Sequence, residues 1–270
     1  MTVLFNFEIR GTRLRSLFLF LSSIIQDKIT TLHLSRDEIR CSEVSQNKRI
    51  LFNYILYSKN LVNYQYNFND PVTKIRFELR WLNDKMQEVK IKNRIQFTID
   101  SEEPDILQVN IYGETKTKKD KKIKLSLSPE MKLEEPPPNI YYEHPLTLHK
   151  EDFLPFLRIK PSTKSGKIVK EEVEIKIQAP HFLKFTRIAN TSESEKFGVL
   201  KKDLPIFKEN YYISEIKHIF KLHPSTIIFN IYQPKSDHLP LYIAGMAGDY
   251  GSWQIYIHPS NIKPITEIHI

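Results

Sequence analysis

A chain of 270 residues, 40% hydrophobic and 27% charged, can bury one large core or two ordinary ones, which excludes a disordered polypeptide. Its single cysteine, Cys41, excludes intramolecular disulfides and cysteine-built zinc sites, fits a reducing compartment, and reads as a small core residue. A net charge of +8 and a pI near 9.3 suit a polyanionic partner, though charge alone does not separate nucleic acid from acidic lipid or from a merely soluble surface.

The chain opens on a short strand, NFEIR, followed by RGTRLRSLFLFLSSIIQDK from Arg10 to Lys28. The apolar run Leu17 to Ile25 is far shorter than the ~20 residues of a transmembrane helix. A secretory signal fits no better, because Val3, Leu4, Phe5 and Phe7 precede the run and no small-residue cleavage site follows Ile25. At about 100° per residue, Leu14, Leu17, Phe18, Leu21, Ile24 and Ile25 share one face, and Thr12, Arg15, Ser16, Ser23 and Gln26 the other. The spacing therefore predicts an amphipathic helix over Thr12 to Gln26, with only Leu19 out of place.

Leu79, Leu82 and Met86 keep a second helical period, and Ile95, Phe97, Ile99, then Leu107, Val109, Ile111, alternate as two strands. KTKKDKKIK, Lys116 to Lys124, carries six lysines and reads as a solvated hairpin loop. LEEPPPNIYYEHP, Leu133 to Pro145, holds three consecutive prolines, which forbid helix and central strand and predict an extended linker. Beyond it come a strand, PLTL, and a helical pattern from His149 to Ile159. Ile213, Ile216 and Phe220 then repeat the helical spacing, and Ile227, Phe229, Ile231, Asp237, Leu239, Leu241 and Ile243 the alternation. From Ile95 to Ile111 each pattern residue has its counterpart 132 positions later, an ungapped offset that marks an internal repeat. The expected fold is α+β: two repeated domains, each strand-rich sheets with two helices on one face, spanning 1–127 and 145–270 about a connector at 128–144.

Motifs that carry chemistry are absent. No GxGxxG or HExxH occurs, and KSGKI at Lys164 to Ile168 lacks the upstream glycine and the following Ser/Thr of a phosphate loop. The nine histidines do not fall at metal-ligand spacing, and Asn190-Thr191-Ser192 is a sequon that reads as a loop. The residues predict no catalytic site, no metal and no cofactor.

In order and spacing the chain resembles the proliferating cell nuclear antigen family of sliding clamps. FEIRGTRLRSLFLFLSSII aligns with that family's opening strand and first helix. PLYIAGMAGDYGSWQIYIHP, Pro240 to Pro259, matches its closing hairpin, with an Asp-x-Gly turn at Asp249 to Gly251 and a Tyr-x-x-Pro ending at Tyr256 to Pro259. The proline-rich linker falls where clamps carry their interdomain connector. The resemblance implies a homotrimeric ring, helices lining its hole, that tethers DNA polymerase to double-stranded DNA and needs no catalytic residue. It implies a clamp loader as a further partner, no membrane, and work in the nucleus or in a viral replication factory in the cytoplasm.

On that reading the DNA-facing cations are Arg13 and Arg15, Arg80 and Lys85, Lys150 and Arg158, and Lys217 and Lys221, a pair per helix. Such contacts are sequence-independent and salt-sensitive. Partner peptides would dock on Val44, Ile50, Leu133, Ile140, Pro240, Tyr256, Ile257 and Pro259, with subunits joined through edges at Asn60 to Phe68 and Lys196 to Asp203. Of the family's first-helix lysine positions matching Arg15, Ser16 and Ser22, only Arg15 is basic here, and Pro155 replaces a basic position of the third helix. Well-known clamps are acidic overall, whereas this chain is basic. Three alternatives stay open beside the replication clamp: a checkpoint-clamp subunit, a viral clamp-like transcription factor, and a basic processivity factor that does not close a ring.

Overall fold

The computed structural model describes residues 2–25, 29–87, 89, 90, 92–113, 119–127, 139–153, 163, 164, 167, 168, 172–178, 182–187, 193, 194, 206–219, 222, 226–236 and 239–261. They divide into two compact units. Unit 1 comprises Met1–Val44, Phe52–Glu134 and Met246–Trp253; unit 2 comprises Ser45–Leu51, Glu135–Gly245 and Gln254–Ile270.

Unit 1 runs β1 (Val3–Arg10), α1 (Gly11–Ile24), β2 (Ile29–Ser35), β3 (Glu38–Val44), β4 (Ile50–Tyr57, from Phe52 on), β5 (Val62–Tyr66), β6 (Val72–Glu78) and α2 (Leu79–Gln87). It continues through β7 (Arg94–Asp100), β8 (Ile106–Tyr112), β9 (Lys119–Lys124) and β10 (Ser126–Leu127). One sheet has the order β5-β1-β7-β8-β9, and a second contains β10-β6-β2-β3-β4. Strand alternation sets the core: Phe5, Phe7 and Ile9 point inward from β1, Ile95, Phe97 and Ile99 from β7, and Leu107, Val109 and Ile111 from β8. Phe7 and Phe97 are cross-strand partners, and their rings stack with centroids 4.8 Å apart.

The predicted stripe of α1 is buried throughout: Leu14, Leu17, Phe18, Leu21, Ile24 and Ile25. The buried arc is wider than the sequence suggests. Phe20 meets Phe52 of β4 at 4.6 Å between ring centroids, and Ser16, expected on the polar face, is only 4% exposed. The entry to α1 is tight as well. Gly11 donates its N–H to the Asn93 carbonyl at 2.9 Å, and a Cβ there would overlap Val89. In α2, Leu79, Leu82 and Met86 are all buried, as their spacing predicts.

The lysine run corrects another expectation. Lys119–Lys124 forms β9, paired antiparallel to β8, where a solvated loop was predicted. Ile123 is the run's one apolar residue and is buried between exposed Lys122 and Lys124, enough to seat the strand on the core.

Unit 2 contains β11 (Leu146–His149), a two-residue-armed hairpin of β12 (Thr163–Lys164) and β13 (Lys167–Ile168), β14 (Glu172–Gln178), β15 (Phe182–Arg187) and β16 (Glu193–Ser194). It continues through β17 (Phe207–Tyr212), α3 (Ile213–Ile219), β18 (Ile228–Tyr232), β19 (Leu241–Met246, to Gly245) and β20 (Gly251–Ile257, from Gln254). Its sheets have the orders β16-β15-β14-β17 and β20-β19-β18-β11. This repeats unit 1. There β2 lies between β3 and β6, α2 follows β6, and β1 pairs with β7; here β14 lies between β15 and β17, α3 follows β17, and β11 pairs with β18.

Register refines the repeat. Phe97 pairs with Val109, but Phe229 pairs with Gly245, so the offset is 132 on the first strand and 136 (245 less 109) on the second. A shift of four is even, so Leu241 and Ile243 still face the core. Ile227, the counterpart of buried Ile95, precedes β18 and is 60% exposed. Of the helix expected over His149 to Ile159, the described residues are His149, which ends β11, and a 3-10 turn, Lys150–Phe153. Asn190 to Ser192 and Phe220 lie outside the described residues. Among the described residues no helix is long and apolar enough to cross a membrane.

Candidate functional site

The eight candidate cations have different surroundings. Arg13 and Lys85 lie on α1 and α2. Arg15 is half-buried, and its Nη1 donates to the Val89 carbonyl at 3.4 Å, tying α1 to the segment after α2. Arg80 is exposed, 3.5 Å from the exposed carboxylate of Glu78, an arrangement that solvent makes nearly costless to open. Lys150 is half-buried in the 3-10 turn after β11, its N–H donated to the Ile227 carbonyl at 2.8 Å. Lys217 is half-buried in the last turn of α3, while Ile213, Glu215, Ile216 and Ile219 of that helix are buried. Arg158 and Lys221 lie outside the described residues.

Among the peptide-docking candidates, Val44 ends β3 in unit 1, and Leu133 lies outside the described residues. Ile140 belongs to a 3-10 turn, Asn139–Tyr141, in unit 2. Ile50, Pro240, Tyr256, Ile257 and Pro259 are all buried in unit 2. Tyr256 belongs to an aromatic ladder. Its ring stacks on Tyr242 at 4.6 Å and 5°, and Tyr242 on Tyr232 at 4.3 Å and 17°. Tyr142 closes the ladder edge-on, 5.3 Å from Tyr242. Two backbone bonds hold it there, Glu143 N–H to the Gln233 carbonyl and Lys235 N–H to the Tyr141 carbonyl, each 2.9 Å. Burial, then the neighbouring Tyr232, pushes the Tyr242 phenol up to about 12. Burial first also raises Tyr142 and Tyr256, so these hydroxyls stay protonated at neutral pH. The ladder was readable in part: Tyr232 and Tyr242 occupy positions alternate to the core residues Phe229, Ile231, Leu241 and Ile243.

Sequence reasoning missed the ionic cluster beside this ladder. Arg49 Nε lies 3.4 Å from Glu215 Oε1, and Asn47 Nδ2 donates to the same oxygen at 2.7 Å. The Arg49 guanidinium also donates to the carbonyls of His258 (3.1 Å) and Pro259, and stands 5.0 Å from the Tyr212 ring centroid. In unit 1 a different buried polar group recurs: Glu43 Oε1 accepts from Thr30 Oγ1 at 2.7 Å and from the Thr31 N–H at 2.9 Å. Burial raises the Glu43 carboxyl despite those bonds, and raises the adjacent Cys41 thiol, which is buried as its sequence context suggests. Among the described residues no three His, Cys, Asp or Glu side chains gather as a metal site.

No protein-family model matches the chain, and no curated protein matches it in sequence. Among solved structures it is similar to the crystal structure of PCNA from Thermococcus kodakaraensis, with a TM-score of 0.75 at 15% identity over 94% of this chain and 99% of that one. At that identity the likeness is one of fold. The chain has a sliding-clamp-like fold, as its order of strands and helices implied.

Proposed function

We propose that this protein is a DNA sliding clamp, a non-enzymatic processivity factor that closes as a homotrimeric ring on duplex DNA and tethers DNA polymerase and other replication or repair proteins. The observation that carries this reading is the fold match, which extends over nearly the whole of both chains. On this reading 1–127 and 145–270 are the clamp domains and 128–144 the connector. Arg13, Arg15, Arg80, Lys85, Lys150, Arg158, Lys217 and Lys221 face DNA. The proposed peptide-binding residues are Val44, Ile50, Leu133, Ile140, Pro240, Tyr256, Ile257 and Pro259, of which Ile50, Pro240, Tyr256, Ile257 and Pro259 are buried and act as support rather than as direct contacts, and a clamp loader opens the ring.

Light scattering of the purified protein, with primed-circle synthesis by its cognate polymerase, tests the proposal. The expected mass is about three times the 32.0 kDa chain, and the expected products are long. A stable monomer that leaves product length unchanged overturns it. The net charge of +8 favours a second reading, a basic processivity factor that holds DNA from one side. That reading predicts the monomer mass together with lengthened products.

A further inference from the structure

Across the second sheet of unit 1, three basic side chains stand in one row. His33 of β2 has Arg40 of β3 as its cross-strand partner on one side and Lys74 of β6 on the other. Arg76 stands in the next row, opposite Thr31. These residues alternate with Leu32 and Leu34, Ile39 and Cys41, and Ile75 and Phe77, which are all buried, so the row occupies the face turned away from the core. With strands about 4.8 Å apart, the backbones of Arg40 and Lys74 are about 10 Å apart, with His33 between them. His33 is only 8% exposed beneath its neighbours, while the Arg40 side chain is 43% exposed.

We propose that this row is a second nucleic-acid contact, separate from the helices, where Arg40, Lys74 and Arg76 bind a phosphodiester backbone. The row offers donors: two guanidinium groups, an ammonium and an imidazole, flanked by Thr31, Ser35 and Ser42. Phosphate oxygens are taken by such groups on open surfaces, without a cavity. A folded peptide partner draws its affinity from large apolar anchors seated in pockets, and a flat three-strand face provides none. Competing anions are internal: Glu38 Oε1 lies 2.6 Å from Arg40 Nη2, and the Glu43 carboxylate interacts with Arg76, so an incoming phosphate shares or displaces them.

His33 reports the binding. The charged and titratable groups on the elements around it are Lys74, Arg76 and Glu78 on β6, Glu38, Arg40 and Glu43 on β3, and Arg36 and Asp37 in the turn joining β2 to β3. Burial, then Lys74, then Arg40, hold its imidazolium below the ordinary range. A polyanion over the row reverses the Coulombic part, so His33 binds its proton more readily in the complex and binding tightens as pH falls.

The test is a ring-resonance titration of His33 in the wild-type protein, with and without a 20-base-pair duplex at low salt. The expected result is an upward move of about half a unit, equivalent to about threefold tighter binding on the acid side. Glu38→Gln should tighten duplex binding, and Arg40→Gln with Lys74→Gln should flatten its salt dependence by about 2 in slope. A duplex that binds without moving His33, or does not bind at all, overturns the proposal. So does polyglutamate moving His33 where the duplex does not, which assigns the row to an acidic protein segment. None of these outcomes depends on ring closure.

Discussion

The guanidinium of Arg49 and the carboxylate of Glu215 are both more than nine-tenths buried, and the groups around them make that tolerable. Two backbone carbonyls, an amide and an aromatic face supply the contacts that water would otherwise give. His258 shares this environment: its N–H donates to the Arg49 carbonyl at 2.9 Å, while its buried ring nitrogens have no hydrogen-bond partner among the described residues. Burial, then the Arg49 charge, pulls the imidazole down to about 4 from 6.5. A depressed value means that the unfolded chain binds the proton first. The stabilisation is present above about pH 6.5, declines as pH falls, and is gone below about 4; a gap of this size corresponds to about 3 kcal/mol. Urea midpoints measured from pH 7 to pH 4 should therefore fall more steeply for the wild type than for His258→Leu, and parallel curves would remove His258 from the acid response. Nothing local in the sequence reveals this cluster. Glu215 falls between the apolar positions Ile213 and Ile216 of a short helical pattern, and the Asn47 amide that donates to it is 168 positions away.

At the level of elements, periodicity was a good guide to which face is buried and a poor one to how wide that face is. The stripe of α1 was legible because 3.6-residue spacing needs only the segment itself. Phe20 and Ser16 were not, because their burial comes from β4 and other neighbours met only after folding. The closing hairpin shows the same division. The sequence placed a turn at Asp249-Tyr250-Gly251, yet the left-handed residue is Gly248, with φ of 58°, and Gly251 already begins β20. Gly251 is there for another reason: a Cβ would overlap the backbone carbonyl of Ile55 on β4. A carbonyl fixed in a strand has nowhere to retreat. Gly251→Ala should accordingly cost about 2 kcal/mol or more, read as a lower thermal midpoint. An unchanged midpoint in Gly251→Ala would mean that β4 and β20 separate freely at that point.

For the whole molecule, order and spacing of elements carried the fold, and the repeat survived a four-residue change of register because an even shift keeps every side chain on its face. Electrostatic function is less legible, since a sequence counts cations without saying which are already engaged. Arg15 illustrates this, with its guanidinium bonded to Val89. Arg80 and Lys217 probe the helical surfaces of the two units: Arg80 is exposed and lies 3.5 Å from the solvent-screened carboxylate of Glu78, and Lys217 closes α3, where a cation suits the helix terminus. Each DNA phosphate left without its protein cation takes about 0.9 from the slope of log affinity against log salt on duplex DNA. If both residues face DNA, Arg80→Gln with Lys217→Gln should flatten that slope by nearly 2 in a fluorescence-anisotropy titration while leaving the circular dichroism unchanged. A slope that does not move would mean that these helices do not meet the phosphates, and that the charge of +8 acts through the sheets instead.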